Sequence, residues 1–177
     1  MKIYKTKIKD LLVIKQKNNV DKRGSLRETF NKKLLNKKFV FEYCTTSKKN
    51  VLRGFHFQTK FQQAKYINVM KGKILDYVVD LRKNSKTFGR KFKIILSDKN
   101  CLSLYIPEGF AHAYYSYDKF NVIYYKLSNY YSPKYEGGIN VFDKDLKIRW
   151  PKKRVSISKK DRALITFKEF CKNYKFL

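Results

Sequence analysis

The chain has 177 residues, 43% of them hydrophobic and 16% aromatic, and its 42 Lys and Arg against 14 Asp and Glu give a formal charge of +28. That aromatic content excludes a disordered basic tail, and only 7 Gly and 3 Pro exclude collagen-like and low-complexity chains. The length suits one domain, residues 1–177, with a sizeable core and a helical or irregular cap from about residue 161.

The predicted elements are mostly short strands. Residues 11–14 give the first, followed by a two-turn helix over 28–35. Strands are expected within 38–46, 50–58 and 64–70. Lys71-Gly72 punctuates, and residues 73–81 alternate, with Ile74, Asp76, Val78 and Asp80 on one face and Leu75, Tyr77, Val79 and Leu81 on the other. Strands at 91–96 and 101–106 flank a polar turn, and strands at 113–117 and 121–127 flank Asp118-Lys119. The Pro-containing stretch 129–138 reads as a loop, and 161–174 as a helix with Leu164, Ile165, Phe167, Phe170 and Cys171 apolar. So many strands at this spacing indicate an all-β sandwich or barrel.

The lysines are scattered, and only doublets such as Lys32-Lys33 and Lys159-Lys160 occur. With no basic block or stripe, a solvated basic surface is favoured over a nucleic-acid footprint. Cys44, Cys101 and Cys171 form no CxxC pair and fit neither a disulfide framework nor a zinc knuckle. The first ten residues lack the apolar stretch of a signal peptide, and no apolar run is long enough to cross a bilayer. A soluble, cytoplasmic protein is expected.

Only two histidines are present. His56 lies in Arg53-Gly54-Phe55-His56-Phe57-Gln58, where strand alternation would put it on one face with Gly54 and Gln58. A Gly there leaves room for a ligand, and the neighbouring Arg53 is suited to phosphate. A hydrogen-bonded core histidine is the competing explanation. His112 ends Pro107-Glu108-Gly109-Phe110-Ala111-His112, a turn into a strand that resembles the second motif of the cupin double-stranded β-helix, or jelly roll. A metal cupin would carry HxH and a downstream Glu in its first motif. Here the first motif reads His56-Phe57-Gln58, with no Glu before Gly72. Two histidines and a Gln do not make a metal site, so neither metal nor other cofactor is expected.

Longer motifs make the resemblance specific. They include Asp21-Lys22-Arg23-Gly24, Arg27-Glu28-Thr29-Phe30, residues 47–58, Gln63-Ala64-Lys65, Val79-Asp80-Leu81-Arg82, residues 105–112, Tyr125-Lys126, Tyr130-Tyr131-Ser132-Pro133, Glu136-Gly137-Gly138, Arg149-Trp150-Pro151 and Ser158-Lys159-Lys160-Asp161. From about residue 10 to 165 the sequence resembles the dTDP-4-dehydrorhamnose 3,5-epimerase family of metal-free cupins. The resemblance implies a homodimeric epimerase of a nucleotide-linked 4-keto sugar. It makes His56 the general base, Asp161 its partner, Tyr125 the acid on the opposite sugar face, and Lys65 a stabiliser of charge on the 4-oxygen. It places Arg53, Glu28, Tyr131 and Arg23 at the nucleotide and phosphates, with Arg23 donated by the partner subunit. His112 falls to the sugar pocket, and Gln58, beside His56 on its strand, is expected to bind substrate.

The residue types suit that chemistry. Loss of a proton beside a ketone leaves an enolate. A neutral imidazole is a competent base near pH 7, because its ordinary pKa is about 6.5. A carboxylate behind it fixes the tautomer. Inversion requires a proton from the other face, which a phenol can supply. Taken singly, Asp161 would read as an exposed helix residue, Tyr125 as packing, Lys65 as one lysine of many and Arg23 as part of a turn.

The chain departs from the family at Phe41 and Tyr43, where Gln and Asn are common, and at Tyr114-Tyr115 after Ala113. These aromatics bear on which sugar and base fit, and they leave GDP-linked 4-keto heptoses and C3-only inversion open. The alternatives are a nucleotide-sugar 3,4-ketoisomerase cupin, disfavoured by Tyr125 and Asp161, and a non-catalytic basic module that binds nucleic acid.

Overall fold

The structure is a computed structural model and describes residues 1–174. Its strands are β1 (Lys2–Lys5), β2 (Leu12–Lys15), β3 (Lys17–Asp21), β4 (Gly24–Glu28), β5 (Phe41–Lys48), β6 (Leu52–Gln58), β7 (Lys65–Lys71), β8 (Lys73–Asp80), β9 (Lys91–Ser97), β10 (Leu102–Ile106), β11 (Phe110–Ser116), β12 (Phe120–Leu127) and β13 (Glu136–Gly138). Two short helices follow, α1 (Lys159–Arg162) and α2 (Phe167–Asn173). A six-stranded sheet has the order β1-β2-β10-β7-β12-β5, and a five-stranded sheet the order β13-β6-β11-β8-β9. The strands pair antiparallel throughout both. The all-β cupin double-stranded β-helix expected from the sequence is the architecture found.

Alternation of side chains decides what each sheet face buries. Along β8, Ile74 and Val78 enter a core between the sheets, together with Ile67, Val69, Leu104, Ile106 and Ile123. Leu75, Tyr77 and Val79 point the other way, into a second core closed by Ile139, Val141, Leu146 and Phe170 from the C-terminal segment. A third cluster, Ile14, Leu35, Ala64, Tyr66 and Tyr105, covers the outer face of the six-stranded sheet. Each large apolar side chain so buried contributes about 1.5–3 kcal/mol before entropy is counted.

Several elements differ from the sequence expectation. The first strand is β1, and residues 12–15 form the second. No helix forms over 28–35. Glu28 closes β4 opposite Lys17, and an isolated turn follows in which Asn31 Oδ1 accepts from the Lys33 amide. Phe30 and Leu35 pack with Tyr66 instead of lining up on a helix face. The expected helix at 161–174 is two helices. Ile165 bridges to Ile139 between them, and Thr166 starts α2 with a capping box to Glu169. The expected loop at 129–138 ends in β13, which adds to the edge of β6. The last three residues of the expected cap, 175–177, lie outside the described residues.

β3 and β4 form a hairpin apart from both sheets. Its tip is a two-residue loop between paired Asp21 and Gly24, with Asp21 accepting from the Arg23 amide and guanidinium. Val20 and Leu26 on it are 73% and 69% exposed.

Candidate active site

The site begins with an irregularity in β6. Its pairing with β11 sets His56 opposite His112 and Arg53 opposite Tyr114. Gly54 and Phe55 therefore share one partner residue, a β-bulge. Gly54 has φ +114°, and a Cβ there would meet His112 O at 2.4 Å and Ala113 Cα at 2.6 Å, so only glycine fits. Directly opposed residues share a face. The bulge thus turns Arg53, His56, His112 and Tyr114 toward the space between the sheets, joined by Asp76 through its pairing with Tyr114. This corrects the expectation that Gly54 faces with His56. The side chain on that face is Arg53, and Gly54 contributes its backbone.

That backbone holds Asp161. The Gly54 amide donates to Asp161 Oδ2 at 3.2 Å, while Asp161 Oδ1 lies 3.0 Å from His56 Nε2. Ser158 caps α1 by accepting from the Asp161 amide at 3.0 Å. Burial pushes the Asp161 pKa upward, but the hydrogen bonds from His56, Gly54 and Ser158 and the charge of His56 outweigh it and hold the carboxyl below its ordinary range. A carboxylate can only accept, so neutral His56 carries its proton on Nε2 and keeps Nδ1 as the basic nitrogen.

A second such pair lies deeper. His112 Nε2 is 2.8 Å from Asp76 Oδ2, and both side chains are buried. Asp76 Oδ1 has no hydrogen-bond partner among the described residues. Burial raises the Asp76 pKa against the opposing charges of His112 and Lys65. Lys65 opens β7 and is buried. Burial lowers its pKa to about 8, and the charges of Asp76 and Glu136 limit the drop.

Tyr125 stands on the opposite wall. In the middle of β12 it pairs with Tyr43 of β5 and Ile67 of β7. Its ring stacks on Tyr43 with centroids 4.8 Å apart and lies 6.2 Å from the His112 ring. Burial, then the neighbouring Tyr114, Tyr43 and Asp76, push its pKa well above the phenol range, so it keeps its proton at neutral pH.

The remaining expected residues divide. Arg53 is exposed and donates through Nε to Ser47 Oγ at 3.2 Å. Tyr131 is half-exposed and donates to Glu136, which also accepts from Lys160. Gln58 is committed elsewhere, because its amide donates to the Phe61 and Tyr130 carbonyls and accepts from the Ser132 amide, tying down the 129–132 segment. Arg23 and Glu28 are not brought to this group of residues. The Arg23 side chain is 90% exposed at the hairpin tip. Glu28 accepts from Asn31 and lies beside Tyr66, on the outer face of the six-stranded sheet.

Asp76 and Glu136 line the site although the sequence expectation gave them no role, and Tyr43, expected to bear on which sugar and base fit, lies there beside Tyr125. Asp76 carried a signal, an acid on the apolar β8 face between Ile74 and Val78. Glu136 stood in a quoted motif without a role, and the register of β13, where it opposes Gln58, brings it to the site. Among the described residues no group of three or more His, Cys, Asp or Glu gathers where a metal ion would be held.

Comparison with known proteins identifies the family. Residues 5–169 match the model of the family described as dTDP-4-dehydrorhamnose 3,5-epimerase. The enzyme of that name from Salmonella typhimurium is 40% identical over 171 residues, covering 92% of this chain and 93% of the relative. That from Methanothermobacter thermautotrophicus is 38% identical over 169 residues, covering 91% of each. A crystal structure of the Legionella pneumophila dTDP-6-deoxy-D-glucose-3,5-epimerase in complex with dTDP-4-keto-L-rhamnose superposes with a TM-score of 0.89 at 37% identity, covering 93% of this chain and 92% of that one. The chain therefore belongs to the dTDP-4-dehydrorhamnose 3,5-epimerase family, whose members are isomerases of nucleotide-linked sugars.

Proposed function

We propose that the protein inverts C3 and C5 of a dTDP-linked 4-keto-6-deoxy sugar by proton transfer. The observation that carries this reading is the pair of walls. A carboxylate-backed imidazole, His56, lies on one sheet, and a buried, protonated phenol, Tyr125, lies on the other. His56 Nδ1 removes the proton beside the ketone, and Asp161 stabilises the imidazolium that forms. Buried Lys65 is within reach of Asp76 and offers positive charge to the developing enolate oxygen in a site of low polarisability. Tyr125 returns a proton to the opposite face. Arg53 and Tyr131 at the mouth hold the diphosphate and nucleotide, and His112 borders the sugar. The choice of dTDP rests on the relatives named above.

In this reading the working unit is a homodimer. The β3–β4 hairpin carries exposed Val20 and Leu26 away from both sheets, so docking it on a second copy would bury that apolar surface and bring Arg23, with Glu28 at its base, to the partner's site. Among the described residues no helix is long and apolar enough to cross a membrane. Three free cysteines suit a cytoplasmic enzyme.

The test is incubation with a dTDP-linked 4-keto-6-deoxy sugar in heavy water, followed by NMR of the product. Deuterium at C3 and C5 with inversion at both supports the reading. Deuterium at C3 alone restricts it to a single centre, and no exchange overturns it. Y125F should lose inversion more than initial proton removal, and equal loss of both would contradict a separate acid.

A further inference from the structure

Two histidines and two tyrosines stand at one level of the gap between the sheets. His56 of β6 is paired with His112 of β11, and Tyr43 of β5 is paired with Tyr125 of β12. β6 and β11 are neighbours in one sheet, as β5 and β12 are in the other. Tyr125 lies over His112, with ring centroids 6.2 Å apart. One level along, β5 lies over β6 and β11, where Ser47 Oγ meets Arg53 Nε at 3.2 Å and the Tyr114 hydroxyl at 2.8 Å. Tyr43 is therefore set across the gap from His56, beside Tyr125. Paired residues share a face, and the two tyrosine rings stack 4.8 Å apart at 26°. Both phenols thus project from the same wall with the same reach. They differ in access, because Tyr125 is 3% exposed whereas Tyr43 is only partly buried. Burial, then the charges of Tyr114, Glu136 and Tyr131, raise the Tyr43 pKa to about 12, so it too holds its proton at neutral pH. Tyr43 is also one of the positions at which this chain departs from its family.

Two carbons flank the ketone of a 4-keto sugar, and inverting both takes two protons from the face opposite His56. A phenolate left at buried Tyr125 after the first is costly. We propose that Tyr43 is a second general acid, and that the two phenols divide the centres between them, one protonating C3 and the other C5. This rests on the epimerase reading above and names the acid for its second centre. At each centre His56 Nδ1 takes the proton beside the ketone, and the C–H electron pair passes into the enolate. The enolate carbon then takes a proton from the phenol on the other wall, the C=O bond re-forms, and a phenolate remains. Solvent returns a proton to the phenolate and accepts one from the imidazolium. One proton leaves and one enters per inverted centre, with no redox change.

The test reads each centre separately by NMR, with a dTDP-linked 4-keto-6-deoxy sugar in heavy water. Y43F removes one hydroxyl and keeps the ring. It should slow inversion by about a hundredfold or more at one centre, the usual effect of losing a positioned acid, and leave the other centre within about twofold of wild type. The centre that is not inverted should still take up deuterium with its configuration retained, because His56 exchanges its proton with solvent and returns a deuteron to the same face. Y125F should give the mirror result, losing the other centre. Inversion of both centres by Y43F at the wild-type rate would overturn the proposal. Equal slowing of both centres would also overturn it, since Tyr43 would then only shape the site, and so would loss of the same centre in Y43F and Y125F. If the wild type inverts neither centre, the epimerase reading falls and takes the second acid with it. If the wild type inverts one centre alone, epimerisation stands and the second acid falls.

Discussion

The Asp161 carboxylate lies 3.0 Å from His56 Nε2 although 105 residues separate the two in sequence. The contact exists because a bulge in β6 frees the Gly54 amide for one carboxylate oxygen while His56 takes the other. Losing this contact should cost activity more than folding. D161N should lower kcat by about a hundred- to ten-thousand-fold, measured by product NMR, with the fold retained by circular dichroism. The stability effect has a defined sign. Asp161 is held below its ordinary value of 3.8, so its charge stabilises the fold above that pH, and the contribution is lost as pH falls through the folded pKa. The melting-temperature gap between wild type and D161N should therefore close in acid.

Lys65 sets the alkaline limit. Burial brings its pKa to about 8, so the cation that faces the enolate disappears as pH rises past that value. The pH profile of kcat/KM should fall above about pH 8. K65M should lose about a hundredfold or more, the usual effect of removing one donor to a developing oxyanion, and should lack that limb. Stability runs the other way, because the unfolded chain binds the Lys65 proton between about 8 and its ordinary 10.5 and the folded one does not.

Asp76 tunes that limit, since its charge supports the Lys65 cation. D76N should move the alkaline limb to lower pH, read from the same profile. An unmoved limb would mean that the titrating group is not Lys65.

Gly54 is irreplaceable by geometry. G54A adds a Cβ 2.4 Å from the His112 carbonyl and forces alanine to φ +114°. The expected cost is about 3 kcal/mol or more, or roughly 6–12 °C in Tm for a chain of this size, checked by thermal melting.

How much of this the sequence reveals varies with the kind of interaction. The alternation along β8 is written in its apolar residues, and the two cores follow it. His56, Asp161 and Tyr125 are legible through long motifs in register, not through their own residue types. The bulge is not legible, because it arises from the close approach of β11 to Gly54. The β3–β4 hairpin is not legible either, because its strands are exposed on both faces and carry no apolar alternation. The helix expected over 28–35 does not form, because packing of Phe30 and Leu35 against Tyr66 decides their placement.

The most direct measurement on the central claim is hydrogen exchange by H56A. Incubated with a dTDP-linked 4-keto-6-deoxy sugar in heavy water, the folded variant should place no deuterium on the sugar ring above background, while the wild type labels it. Labelling by H56A at the wild-type rate would contradict His56 as the base.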